Sequence, residues 1–120
     1  MNKNTSSTRY YSNQQEEYIS KKFEGYRTPN SGGGKFSKAD IVLPKASMLL
    51  ECKTSMSEKK SFTIHKDWID KNKKEALENH IYNSGIAISF DPSGKENYYL
   101  IDEKLFTFLI ENLELDLKNS

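Results

Sequence analysis

The chain has 120 residues, with 18 Lys and Arg against 17 Asp and Glu and a formal net charge of +1. That is room for one domain with a modest core, and the 35% hydrophobic content with seven Tyr and six Phe excludes a disordered chain. No apolar run is long enough for a membrane span, so no membrane partner is expected; one cysteine excludes an internal disulfide and suits the cytoplasm, and with only His65 and His80 beside it there is no zinc site.

Residues 1–8 are polar and read as a flexible leader to a single domain over 9–118. A helix is predicted over 9–24, with Tyr11, Ile19 and Phe23 as core contacts and Gly25 as its stop. Residues 26–28 read as a short strand, and Pro29, Asn30, Ser31 and the three glycines at 32–34 force a loop. Two apolar strands, 38–43 and 48–53, flank the turn 44–47. Another short strand is expected at 61–64, then a helix over 65–79 with Trp68, Ile69, Ala76 and Leu77 on its apolar side. Strands at 86–90 and 98–101 flank the turn 91–94, and a helix over 103–115 closes the chain. The order α-β-β-β-α-β-β-α predicts an α/β (mixed α+β) fold, a central mixed sheet flanked by helices.

Charge is distributed unevenly. Residues 53–74 carry seven lysines against Glu58, Asp67 and Asp70, whereas 102–117 carry five acids and one lysine. A basic centre of this kind suits a polyanion, although a solvated helix face would have the same composition.

The hairpin carries the most chemistry. With a four-residue turn, Leu43 faces Met48 and, counting outward, Asp40 falls opposite Glu51. Facing Cβ atoms lie about 4.5–5.5 Å apart, where like charges repel. A divalent cation would convert that repulsion into binding, since Mg²⁺ takes one or two carboxylates together with phosphate oxygens. Strand alternation puts Lys53 on the same face and Cys52 on the other. Acid-x-Lys also occurs at Glu58, Asp102 and Asp116, but only Glu51 ends a buried strand with an acid on its neighbour. The glycine loop before Lys35 is no P-loop, because Pro29 and Phe36 occupy positions where that motif needs Gly and a hydroxyl.

This acid, hairpin and Glu-x-Lys resembles the PD-(D/E)xK nuclease superfamily, and within it the archaeal and phage Holliday junction resolvases. Four segments carry the likeness: Glu16-Glu17-Tyr18-Ile19; Gly25 to Pro29 with Ser31 to Gly34; Asp40-Ile41 with Leu50 to Thr54; and Ser61 to Ile64 leading into the lysine-rich helix and Glu75-Ala76. The resemblance implies a restriction-endonuclease-like core and a glutamate of the first helix near the site. Glu16, which shares its helix side with Ile19 and Phe23, suits that place better than Glu17.

The resemblance further implies Mg²⁺, with Mn²⁺ able to substitute, held by Asp40, Glu51 and the Cys52 carbonyl with help from Glu16. Lys53 would stabilise the transition state or orient the attacking water. Ser31, Gly33, Lys35 and Ser37 would meet DNA backbone, Ser37 lying at the archaeal spacing from Asp40 and Ser31 remaining open. Lys59, Lys60, Lys66 and Lys73 would hold phosphates without reading sequence. The expectation is therefore a cytoplasmic, Mg²⁺-dependent endonuclease that resolves four-way DNA junctions as a homodimer. The rivals are the same nuclease acting on other DNA (nicking, repair or restriction-like) and a non-catalytic nucleic-acid-binding protein on this fold.

Overall fold

A computed structural model describes residues 8–28 and 40–120. Ser31, Gly33, Lys35 and Ser37, and the leader up to residue 7, lie outside the described residues. The fold is mixed α/β: a five-stranded mixed sheet and three helices. In chain order these are α1 (Thr8–Lys22), β1 (Tyr26–Arg27), β2 (Asp40–Leu43), β3 (Met48–Thr54), α2 (Lys66–Glu78), β4 (Asn83–Ser89), β5 (Asn97–Leu100) and α3 (Glu103–Lys118). The strands lie side by side in the order β1-β2-β3-β4-β5. Only β3 and β4 are parallel, and α2 makes the crossover that a parallel pair requires.

The elements differ from those expected by a 3₁₀ turn over Pro44–Ala46 that interrupts the hairpin, and in where the strands fall. Residues 61–64 form no strand; Phe62 instead sets its ring edge-on to Phe90 at 5.8 Å and to Trp68 at 6.3 Å. Phe62 is accommodated by ring contacts and Ile64 is left exposed, so the pattern reads like a strand without a ladder. β4 starts three residues before its expected beginning, because Asn83 N–H donates to the Ser47 carbonyl at 2.7 Å and its side chain donates to the Ala46 carbonyl at 2.8 Å.

The hairpin register is Leu43 opposite Met48, Val42 opposite Leu49, Ile41 opposite Leu50 and Asp40 opposite Glu51. Alternation then divides the core. Ile41, Leu43, Leu50, Cys52 and Ala87 meet Ile19 of α1 on one face; Val42 and Leu49 meet Ala76 of α2 on the other. Helix α1 ends at Lys22, and Glu24 rather than Gly25 takes the left-handed conformation, φ 54°. Gly25 answers a different need: a Cβ there would come within 2.5 Å of Leu43 Cδ2 and 2.6 Å of the Val42 carbonyl oxygen. The absent side chain lets the chain leave α1 directly against β2. Helix α3 buries none of its residues. Among the described residues no helix is long and apolar enough to cross a membrane.

Candidate active site

Asp40 opens β2 and Glu51 lies opposite it on β3, only 1% and 4% exposed. Both belong to the sheet face that meets α2, with Val42, Leu49 and Lys53. Two carboxylates are thus withdrawn from water where strand pairing holds them side by side. Burial pushes the Glu51 carboxyl above its ordinary range; Lys53 and Lys71 oppose that shift, and the carboxylate of Glu75 adds to it. The Lys53 ammonium lies 3.6 Å from Glu51 Oε2 and 4.4 Å from the centre of the Trp68 ring, so a carboxylate and an aromatic face hold it from two sides.

Glu16 is buried and Glu17 exposed, with Glu17 tied to Lys21 at 2.9 Å. Glu16 accepts from Arg27 Nε at 3.1 Å. Arg27 stands opposite Ile41 in the β1–β2 pair, which places that ion pair on the α1 side of the sheet, away from the face of Asp40 and Glu51. The Cys52 side chain also points to the α1 side. Burial pushes its thiol well up, and the negative charges of Glu16, Asp40 and Glu51 add to the effect, so all three carboxylates act on one point in the sheet.

Asp40, Glu51 and Lys53 are therefore brought together, and Glu16 keeps company with Arg27. The expected phosphate contacts divide. Lys66 is tied to Asp70 at 2.9 Å and Lys73 to Asp102. Lys59 and Lys60 line an open cavity of about 620 Å³ with Phe90, Tyr98 and three acids, Glu58, Asp91 and Glu96.

Three contributors were not assigned to the site from the sequence. Trp68, expected in the core, is the half-buried ring beneath the Lys53 ammonium. Glu75, buried on α2, acts on Glu51. Gln15, fully buried on α1, donates through Nε2 to the Lys53 carbonyl at 3.0 Å, the Ala87 carbonyl at 3.2 Å and Asn97 Oδ1 at 2.9 Å. The sequence held no signal for the last of these, because a glutamine in a polar run reads as solvent-facing and its place between two carbonyl groups appears only in the fold.

Among the described residues, no group of three or more His, Cys, Asp or Glu lies close enough together to hold a metal ion. The facing carboxylates suit a hard cation that takes one or two of them and completes its shell with substrate and water oxygens. Burial of Glu51 leaves its charge poorly solvated, which an approaching cation would relieve. In comparisons with known proteins, no protein family, no characterised sequence and no solved structure matches this chain.

Proposed function

We propose that this chain is a cytoplasmic metal-dependent endodeoxyribonuclease of the PD-(D/E)xK superfamily, on a restriction-endonuclease-like core, that resolves four-way DNA junctions. One observation carries the reading: Asp40 faces Glu51 on a buried stretch of sheet, with the Lys53 ammonium on the same face. Facing buried acids are unfavourable in a chain selected for stability alone, and a cation that also needs phosphate oxygens gives them a purpose.

Asp40 and Glu51, with the Cys52 carbonyl, would hold Mg²⁺ or Mn²⁺, which when bound supplies Lewis acidity toward a phosphate oxygen and makes water a stronger acid. Glu16, engaged by Arg27, is a weaker candidate for that donor set. Lys53 supplies positive charge beside the carboxylates, where negative charge would grow on the phosphoryl group. Trp68 limits where that ammonium can go, and Gln15 fixes the strand that carries it. A four-way junction offers two equivalent strands, which favours a twofold homodimer with one site per protomer.

The test is cleavage of a synthetic four-way junction beside a duplex of matched sequence, with Mg²⁺ or EDTA, and with Asp40→Asn. Paired symmetric nicks in the junction alone, lost with EDTA and in the variant, are expected. Equal cutting of both substrates would keep the nuclease and move its substrate to DNA in general. Tight binding without cutting under either metal would overturn the enzyme and leave a nucleic-acid-binding protein.

A further inference from the structure

The row of paired residues that contains Lys53 continues across the sheet. Lys53 on β3 faces Ile88 on β4, and Ile88 faces Tyr98 on β5. Facing residues share one side of a sheet, so the Tyr98 ring lies on the side of Asp40, Glu51 and Lys53. It stands two strand spacings from Lys53, roughly 10 Å. A line of rings joins the two. The Lys53 ammonium is 4.4 Å from the Trp68 ring, Trp68 is 6.3 Å from Phe62, and Phe62 and Tyr98 are each 5.8 Å from Phe90. None of these four rings belongs to the clusters of buried side chains that form the core, and Tyr98 is 55% exposed. Their large contact area is left at the surface.

Phe90 and Tyr98 line the open cavity of about 620 Å³, which lies just beyond the carboxyl ends of β3 and β4. Ligands of open α/β sheets bind outside the carboxyl ends of parallel strands. The wall is held in place by the chain itself. The Phe90 carbonyl accepts from Lys59 N–H at 2.9 Å and from Ser55 Oγ at 2.8 Å, and the Asp91 carbonyl accepts from Ser89 Oγ at 2.9 Å. Two of the cavity's three carboxylates already have donors: Asp91 accepts from Ser93 N–H at 2.8 Å, and Glu96 from the Tyr98 hydroxyl at 3.1 Å. Glu58, Lys59 and Lys60 make no ion pair among the described residues. The groups left to meet a ligand are an exposed ring, one carboxylate and two ammonium groups.

We infer that this cavity is a subsite for one unpaired nucleotide of the DNA. Its base lies against Tyr98, an amino group of the base donates to the Glu58 carboxylate, and Lys59 and Lys60 hold the neighbouring phosphates. The inference rests on the reading of this chain as a protein that acts on DNA. Other ligands match the wall less well. A simple polyanion would meet three carboxylates, and an apolar molecule would strip water from five charged side chains. A nucleotide brings a ring face, N–H donors and negative charge together. Branched DNA suits the subsite, because bases beside a branch point lack a continuous stack and cost less to displace than bases within a duplex. The ring therefore selects branched DNA, whereas the two lysines act on phosphates of any DNA.

The test is binding by the full chain in EDTA, where no cleavage step enters, of a duplex carrying one unpaired guanine and of the same duplex fully paired. The parent should bind the first about tenfold more tightly, the worth of one stacked base. Tyr98→Leu should remove that preference and leave the affinity for the paired duplex unchanged; Tyr98→Phe, which keeps the ring, should retain it. Circular dichroism and the urea midpoint check that both variants fold as the parent does. Glu58→Gln should narrow the margin of an unpaired guanine over an unpaired thymine, which has no amino group. A parent that binds both duplexes equally, or neither, would overturn the subsite, as would a preference that survives Tyr98→Leu. Junction cleavage with metal is judged separately. Cleavage without the preference would leave the nuclease and remove the subsite, and the preference without cleavage would leave the subsite on a nucleic-acid-binding protein.

Discussion

At the scale of single residues, the site is a conflict between a carboxylate and its surroundings. Glu51 is drawn from water, and burial raises its pKa more than Lys53 and Lys71 lower it. The folded chain therefore holds the Glu51 proton to a higher pH than the unfolded chain does. Its contribution to stability is fully present below the unfolded value, near 4.5, and is lost as pH rises through the raised folded value. Glu51→Gln removes this dependence. Urea denaturation should find the variant more stable relative to the parent at pH 7 than at pH 4. An advantage that grows on acidification would mean that Lys53, and not burial, governs this carboxyl. Added Mg²⁺ should stabilise the parent at pH 7 and leave the variant nearly unchanged.

At the scale of elements, the end of β3 depends on a side chain from another element. Beyond Glu51, β3 continues to Thr54 past the last residue paired with β2. Gln15 reaches across from α1 and donates to the carbonyl of Lys53 on β3 and to that of Ala87 on β4. Gln15→Leu keeps the volume approximately and removes the donor, leaving buried carbonyl groups short of a partner. The expected loss is about 1–3 kcal/mol in urea denaturation, with slower junction cleavage because the strand end that carries Lys53 then keeps only its pairing with β4. Unchanged cleavage at reduced stability would show that the strand end keeps its position without α1. This tie was illegible in the sequence, where Gln15 stands in a polar run of a weakly amphipathic helix. The Asp40–Glu51 register was legible, because apolar runs on both sides of a four-residue turn admit one pairing that keeps both faces in order. The strand expected at 61–64 failed for the converse reason: Phe62 satisfies its apolar surface through Phe90 and Trp68, and alternation carries no information about hydrogen-bond partners.

At the scale of the whole molecule, charge counted along the sequence overstates the basic surface. Four lysines on α2 gave the central stretch its excess, yet Lys66 is matched by Asp70 on the same helix and Lys73 by Asp102 at the start of α3. The second pairing crosses 29 residues of sequence and could not be read from composition. Lys59 and Lys60, by contrast, make no ion pair among the described residues and are exposed beside the open cavity. If DNA phosphates are held there, each lysine that releases a counterion contributes about 0.9 to the slope of log K against log salt. Replacing both with alanine should reduce the magnitude of that slope by roughly 2 and weaken binding alike for junction and duplex. Lys66→Ala with Asp70→Ala, which removes a pair of zero net charge, should leave the slope where it was. All four side chains are exposed, so neither variant should disturb folding, and circular dichroism would verify this. Binding titrations across a range of salt concentrations decide between two surfaces. If the paired variant flattens the slope as much as the two-lysine variant, the Lys66–Asp70 pair opens on DNA and α2 carries the phosphate contacts instead.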